Sequence, residues 1–328
     1  MRESFAEALE GVRQQAEGWL KESNLRQLSA ATAEEVHAFA TVWSDLEADR
    51  RFQLITALAG LAEESRELSF EPLFEVTLED DIAEVRSTAV AGLWEVSDNR
   101  LAEKVLGLLR DDPDAGVRAE AATALGTFLA TSEPEGDSAG LRQRVEDALL
   151  EAINTDTEDV LVRRRAIESY GYADDPYVDE ILMDAYDSDE DEMVASAIFA
   201  MGRRLDERWL GIIHRELSSE VDEIRLAAIY AASEIGSGAS VPYLLRIIGE
   251  DPSDDMRVAA VYGLAEIEAP EAARILEDLL ESEDVAVQVA ADDALDLWQS
   301  RDDLSDMVMF DYGPPREEGH SGNGRDSG

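Results

Sequence analysis

The chain has 328 residues, with 75 acidic residues against 28 lysines and arginines, and therefore a formal net charge of −47. Binding to DNA or RNA is driven largely by cationic neutralisation of phosphates, so this charge argues against a nucleic-acid-binding protein, and against anionic lipid surfaces for the same reason. The sequence contains no cysteine, which excludes disulfides, thiolate metal sites and cysteine nucleophiles.

Signals for membranes, secretion and metals are missing from the sequence. No apolar stretch approaches the roughly 20 residues of a membrane span, and residues 1–11 lack the basic and then apolar pattern of a signal peptide. The 3 histidines leave little from which to build a metal site, so we expect neither a metal nor another cofactor. The sequence therefore predicts a soluble, cytoplasmic protein with no membrane association.

The basic residues are almost all arginines, because only Lys21 and Lys104 are lysines. A chain that is rich in acidic residues and nearly free of lysine resembles the proteins of halophilic archaea. In molar salt the Debye length is about 3 Å, so the surface charges of such proteins are screened from one another. An acidic protein from a mesophile is the alternative, and it fits less well because ordinary acidic proteins keep their lysines. We therefore expect a haloarchaeal protein.

Segments with the same pattern of apolar and polar residues recur along the chain. A weak copy begins at residue 50, and clearer copies begin at 85, 117, 162, 193, 224, 256 and 287. All spacings lie between 31 and 35 residues except one of 45, and the exception contains the Ser-, Gly-, Pro- and Glu-rich residues 131–140. A period of this length indicates a repeat protein. The long spacing predicts an inserted loop at 131–144.

Each copy predicts a pair of helices. Apolar residues at positions 1, 5, 6, 8 and 9 of a copy fall on one face at helical spacing. A shorter apolar pattern precedes each copy, as at residues 105–109 and 243–248. The prolines agree with this interpretation, because they lie at expected helix openings, in the insert or in the tail.

The repeated unit resembles the HEAT-repeat family, in particular the short HEAT-like repeats first associated with phycobilin lyases. The shared motif is V-R-x-x-A-x-x-A-L-G at the start of the second helix, and residues 117–126 match it best. The resemblance covers residues 32–300 and implies an all-α fold, an α-solenoid of about eight HEAT-like helix-pair repeats. We expect an N-terminal helical cap at 1–31, the solenoid at 32–302 and an acidic, partly disordered tail at 303–328.

Arginine recurs at position 2 of the copies. The residues concerned are Arg51, Arg86, Arg118, Arg163, Arg225 and Arg257. In several copies an aspartate precedes the arginine by six residues, as Asp80, Asp112 and Asp251 do. The resemblance implies that such residues tie the turn within a helix pair to the neighbouring repeat. A partly buried arginine needs a partner, so we assign this ladder a structural role.

Enzymes on the same scaffold form the competing class. HEAT-like deoxyhypusine hydroxylases bind iron through His-Glu pairs, and none of His37, His214 or His320 is followed by glutamate. HEAT-like alkylpurine glycosylases need a cationic DNA groove, which the net charge contradicts. No nucleophile and base stand in a recognisable arrangement, so we predict no catalytic residues. An enzyme or enzyme accessory factor of the bilin-lyase type remains the alternative.

Positions 7 and 3 of each copy point away from the predicted core. In a HEAT-like solenoid these positions line the concave surface, where the family usually carries polar residues. Three consecutive copies instead present an apolar strip that consists of Phe199, Tyr230, Tyr262, Leu226 and Val258. Exposed aromatic and aliphatic residues in a contiguous strip are typical of an interface. The alternative is a tight superhelix that buries these side chains.

Arg164 and Arg165 form a basic island beside the strip, able to meet a carboxylate or a phosphate of a partner. We predict a non-catalytic scaffold or adaptor that binds a protein partner on the concave surface through the strip and the island. Some HEAT-like proteins of haloarchaea are linked to taxis signalling, so the resemblance implies a taxis response regulator or a motility component as partner. Residues 304–315 mix apolar and acidic side chains and fit either a docking motif or a cap over the last repeat.

Overall fold

The computed structural model describes residues 1–14, 18–65, 67–93, 98–133, 136–267 and 269–296. In these ranges the regular secondary structure is helical, and the all-α prediction is confirmed. The chain divides into two compact units, Met1–Ile235 and the part that begins at Gly236. The predicted tail at 303–328 lies outside the described residues.

The first unit begins with α1 (Glu3–Gln14) and the short helix α2 (Glu22–Leu25). Helix pairs follow in chain order: α3 (Ala33–Ser44) with α4 (Ala48–Glu64), α5 (Glu71–Thr77) with α6 (Ala83–Ala91), α7 (Asn99–Asp111) with α8 (Ala115–Thr131), α9 (Ala139–Asn154) with α10 (Val160–Tyr170), α11 (Val178–Tyr186) with α12 (Asp191–Arg203), and α13 (Leu210–Glu216) with α14 (Asp222–Ile235). The repeated segments of this unit lie in the second helix of each pair, as the sequence predicts.

The second unit contains further pairs of the same kind. They are α15 (Val241–Glu250) with α16 (Asp254–Glu266), and α17 (Pro270–Leu279) with α18 (285–296). Together the described parts of the two units contain eight helix pairs. The prediction of an α-solenoid fold with about eight HEAT-like helix pairs is confirmed.

The core of each pair is built from the repeated apolar positions. In α8, Val117, Ala121, Ala122, Ala124 and Leu125 are at most 7 % exposed. Several of these residues are alanines, which let neighbouring helices approach closely while still removing apolar surface from water. The periodicity of the sequence therefore identifies the buried face correctly.

Glycine at position 10 permits a close approach between consecutive second helices. A Cβ at Gly126 on α8 would lie 2.5 Å from Oγ of Ser169 on α10. A Cβ at Gly202 on α12 would lie 2.6 Å from Cα of Ala231 on α14. Both distances are shorter than a van der Waals contact, so any larger residue would push the two helices apart.

The arginine ladder joins the turns of neighbouring helix pairs. Arg86 donates to the carbonyl oxygen of Asp80 in its own turn (2.8 Å) and to both carboxylate oxygens of Asp112 in the next (2.7 Å each). Arg118 repeats the pattern with the Asp112 carbonyl (2.8 Å) and the Glu158 carboxylate (2.6 Å). Burial alone would raise the pKa of Asp112, but the bonds that its carboxylate accepts outweigh burial and lower it. These contacts confirm the predicted structural role for Arg86 and Arg118.

The N-terminal segment packs against the first helix pair. Phe5, Leu9 and Val12 of α1 are buried. Arg2 donates from Nε to Oε1 of Glu35 on α3 (2.9 Å), and the Glu35 side chain is fully buried. The hydrogen bonds from Arg2 are the main reason why the pKa of Glu35 lies well below its ordinary value. An ion pair between the partly exposed Arg2 and the buried Glu35 thus links the segment predicted as a cap to the first repeat.

The residues between the copies that begin at 117 and 162 are largely helical. Helix α9 begins at Ala139, so the expected loop at 131–144 is wrong for residues 139–144. The physical reason is Arg142, whose buried guanidinium donates to the carbonyl oxygens of Leu129 and Ser132 at the end of α8. Carbonyl groups at the end of a helix have no partner within it, and Arg142 satisfies these two from the first turn of α9.

Candidate functional site

A cleft of about 340 Å³ opens between α10, α12 and α14 in the first unit. Its lining consists of Arg164, Arg165, Glu168, Ala195, Phe199, Glu223, Leu226, Ala227 and Tyr230. Positions 3 and 7 of three successive repeats supply most of these side chains. The structure therefore brings the two predicted arginines together with Phe199, Leu226 and Tyr230 in one cleft.

Phe199 and Tyr230 form the apolar wall of the cleft. Their ring centroids lie 6.4 Å apart and their planes meet at 86°, which is a favourable edge-to-face arrangement. Tyr230 is 48 % exposed, whereas Phe199 and Leu226 are half-buried. The alternative in which these side chains belong to the core is therefore wrong for Tyr230.

Arg203 supports the aromatic wall. Its guanidinium lies 4.5 Å from the ring centroid of Phe199 and 4.7 Å from that of Tyr172. It also donates to the carbonyl oxygen of Glu168 (2.8 Å). Arg203 follows Phe199 by four residues on α12, and this helical spacing is the sequence signal for the cation–π contact.

The polar side of the cleft is a network of ion pairs. Arg165 donates to Oε2 of Glu168 (2.6 Å), and Ser196 donates to Oε1 of the same carboxylate (2.8 Å). Arg164 forms an ion pair with Glu223 and donates to Oγ of Ser196 (3.2 Å). The two arginines of the predicted basic island are thus each paired with a carboxylate, Arg165 with Glu168 on its own helix α10 and Arg164 with Glu223 on α14.

Glu168 and Glu223 are the charged residues of the cleft that the sequence patterns do not single out. Glu168 occupies position 7 of its copy, the position at which Thr56 and Thr123 are exposed in other copies. Glu168 itself is only 9 % exposed. Its occurrence at an outward position beside arginines is a usable sequence signal. Glu223 precedes Leu226 by three residues and therefore shares its helix face. The four charges balance, so the floor of the cleft is locally neutral.

Tyr262 and Val258, the remaining residues of the predicted strip, lie on α16 in the second unit. Tyr262 is 36 % exposed and Val258 is half-buried. The hydroxyl of Tyr262 donates to Oδ2 of Asp293 on α18 (3.3 Å). Burial, followed by the charge of Asp293, raises the pKa of Tyr262. Both residues thus occupy the outward face of α16 that the repeat register predicts.

The described ranges contain neither a helix able to cross a membrane nor a side-chain cluster able to hold a metal ion. No helix there has the length and apolar character needed to cross a membrane. No three His, Cys, Asp or Glu side chains in the described ranges are grouped in a way that would hold a metal ion. The expectations of a cytoplasmic location and of no cofactor stay predictions.

The family comparison agrees with the observed helix pairs. Residues 70–139 and 192–262 match the family model for HEAT repeats. These two segments are similar to HEAT repeats. The second matched segment includes α12 and α14, which carry the aromatic wall of the cleft. A search of curated proteins found no match.

Solved structures resemble the chain at low sequence identity. The complex of CpcE and CpcF of phycocyanin lyase from Nostoc sp. PCC7120 has a TM-score of 0.51 and 14 % identity, over 82 % of this chain and 95 % of that chain. Human deoxyhypusine hydroxylase in complex with glycerol has a TM-score of 0.36 and 18 % identity, over 81 % of this chain and 96 % of that chain. The first likeness demonstrates a shared fold, and a shared fold does not imply a shared activity.

Proposed function

We propose that the protein is a non-catalytic scaffold that binds a protein partner in the cleft between α10, α12 and α14. The observation that carries this proposal is the apolar wall, in which Tyr230 is 48 % exposed beside the half-buried Phe199 and Leu226. An aromatic residue at the centre of a cleft is the typical anchor of a protein interface. A docked partner would remove this apolar surface from water.

The polar groups of the cleft support binding better than catalysis. Glu168 and Glu223 are each held in an ion pair with an arginine. Ser196, which hydrogen-bonds to Glu168, is only 1 % exposed and is therefore out of reach of a substrate. A nucleophile must contact its substrate directly. We assign this network to holding the three helices in register.

An enzyme or accessory factor of the bilin-lyase type is the second candidate. The likeness to the CpcE–CpcF complex favours it, since that complex belongs to a phycocyanin lyase. This candidate predicts a chromophore or a metal that stays with the protein during purification in high salt. Absorption spectra and elemental analysis distinguish the two candidates, because a stoichiometric chromophore or metal would contradict the scaffold.

The composition supports a haloarchaeal origin, since only Lys21 and Lys104 among the 28 basic residues are lysines. On this basis we propose a cytoplasmic adaptor in taxis signalling, between a response regulator and the motility apparatus. The resemblance to haloarchaeal HEAT-like proteins is the support for this setting. The partner itself is to be identified by experiment.

The test is an affinity pull-down from a haloarchaeal extract in molar salt, with bound proteins identified by mass spectrometry. The cleft variant changes Phe199, Leu226 and Tyr230 to Ser. The matched control changes exposed apolar residues outside the cleft to Ser, namely Tyr177, Leu245 and Val285. We expect the cleft variant alone to lose partners. Circular dichroism confirms folding, and Tyr230→Ser alone serves if the triple variant unfolds. Identical partner lists for all variants would contradict binding in the cleft.

A further inference from the structure

Glu223, Leu226 and Tyr230 lie on one face of α14, because their spacings are i, i+3 and i+7. Side chains on a helix lean towards its N-terminus, which is the direction from Tyr230 to Leu226 and Glu223. The Glu223 side chain is 44 % exposed and Tyr230 is 48 % exposed. A carboxylate, an aliphatic side chain and an open aromatic ring thus follow one another along the mouth of the cleft.

Both ends of this row have unused capacity for a cation. In the described structure Glu223 engages only Oε1, in its contact with Arg164, and a carboxylate accepts about four hydrogen bonds. Arg203 stacks on Phe199, but among the described cations none stacks on Tyr230. A tyrosine ring attracts a cation placed over its face.

The charge around the cleft favours a basic ligand. Arg164 and Arg165 are each paired with a glutamate, so they do not give the floor a positive charge. Glu192 on α12 is exposed and precedes Ala195 of the cleft lining by three residues, on the same helix face. The chain as a whole carries a net charge of −47. A cationic segment is therefore attracted, and an anionic one is repelled.

We propose that the cleft recognises a basic and apolar segment of the partner. An arginine or lysine of that segment lays its aliphatic stem on Leu226 and places its charged head between Tyr230 and Glu223. An apolar neighbour in the same segment packs against Phe199. This inference rests on the proposed function and specifies the chemistry of the partner that the cleft takes.

Selection of random peptides displayed on phage tests the inference directly. The wild-type protein is the bait, and peptides that also bind the Tyr230→Ala variant are removed. This variant has the same net charge as the wild type and therefore the same general attraction for basic peptides. We expect the enriched peptides to carry Arg or Lys next to an aliphatic or aromatic residue. Enrichment of Asp and Glu, or no enrichment after the removal step, would overturn the inference.

Fluorescence anisotropy with the most enriched peptide then tests the assigned residues. Tyr230→Ala and Glu223→Gln should each weaken binding about fivefold, and Tyr230→Phe should keep most of the affinity because the ring remains. Tyr177→Ala and Glu84→Gln are matched controls at exposed positions outside the cleft and should leave affinity unchanged. Equal losses in cleft and control variants would mean general attraction to an acidic surface and would overturn the inference.

The two proposals fail in different ways. In one outcome, the cleft variant loses its partners in the extract while the selection yields acidic or uncharged peptides. That result would support the scaffold proposal and reject the basic segment. Partners retained by the cleft variant would reject the docking site itself.

Discussion

Glu168 joins two of the three helices that line the cleft, α10 and α12. Its carboxylate accepts hydrogen bonds from Arg165 (2.6 Å) and Ser196 (2.8 Å), and its carbonyl oxygen accepts one from Arg203 (2.8 Å). Ser196 and Arg203 belong to α12, whereas Glu168 belongs to α10. One residue at an outward repeat position therefore helps to set the distance between these helices.

Glu168→Ala should lower the free energy of unfolding by about 2 kcal/mol, because it leaves a buried serine hydroxyl and an arginine without their carboxylate. The expected loss of stability is smaller than for a fully buried ion pair, because the Arg165 side chain is 40 % exposed. Urea denaturation followed by circular dichroism measures it. Glu223→Ala is the control in the same cleft, with an expected loss below about 0.5 kcal/mol, since Glu223 is 44 % exposed. A larger loss for Glu223 than for Glu168 would contradict the assignment.

Glu75 on α5 connects to α7 in the neighbouring helix pair through Arg100 and Lys104. Hydrogen bonds from Arg100, and then from Lys104, outweigh burial and lower the pKa of Glu75 from 4.5 to about 2. A carboxyl group whose pKa is lower in the folded state contributes stability above its unfolded pKa. That contribution is lost as the pH falls from 4.5 towards about 2.

Glu75→Gln should therefore be less stable than the wild type by about 1–2 kcal/mol at neutral pH, after allowance for the solvent-exposed Arg100. The difference should stay constant from neutral pH down to the ordinary pKa of glutamate and then shrink on further acidification. Urea unfolding of both proteins at each pH measures it, and the subtraction removes effects of overall charge. Glu79→Gln is the control at an exposed neighbouring position and should change stability little at neutral pH. A difference that grows with acid would refute the role of Glu75.

At the scale of helices, the position-10 glycines determine how closely second helices approach. A Cβ at Gly171 would lie 2.8 Å from the carbonyl oxygen of Ala200, and one at Gly202 would lie 2.6 Å from Cα of Ala231. These neighbours are backbone atoms, which cannot rotate away as a flexible side chain can. Because Gly202 and Ala231 join α12 to α14, the same contact fixes the spacing of Phe199 and Tyr230.

Gly202→Ala should cost about 2 kcal/mol, because overpacking outweighs the better helix propensity of alanine. Gly107→Ala is the matched control: it lies within α7 with nothing within 4 Å of its added Cβ. That control should gain about 1 kcal/mol. Urea unfolding measures both, and peptide affinity should fall in the first variant alone. A gain in stability for both variants would show that the helices are free to separate.

The helix pairs were predictable because each copy repeats the same buried positions at helical spacing. The common face of Phe199 and Tyr230 was predictable from the repeat register as well. The ion pair of Arg164 with Glu223 was not, because it joins residues 59 apart, on α10 and α14. Such a contact depends on how neighbouring helices rotate and translate against one another. The helical start of α9 likewise depends on carbonyl groups of α8 that the residues 139–144 do not reveal.

At the scale of the whole molecule, the net charge of −47 must be borne by the surface, because the core is apolar. Many arginines are used in ion pairs between repeats, as Arg86 and Arg118 are. The excess carboxylates repel one another over distances set by the ionic strength. The Debye length falls from about 30 Å at 0.01 M salt to about 10 Å at 0.1 M and about 3 Å at 1 M.

The melting temperature should therefore rise steeply over the first few tenths of a molar of potassium chloride and then change slowly, because most of the screening is complete by then. Circular dichroism on heating, repeated from about 0.01 M to about 2 M salt, measures this dependence. Sucrose is the control, since it stabilises folded proteins by exclusion from their surface without screening charge. If the melting temperature rises linearly with salt concentration and sucrose produces the same rise, the effect is due to exclusion of solute from the protein surface. A melting temperature that is unchanged from dilute to molar salt would contradict adaptation of this acidic surface to a saline environment.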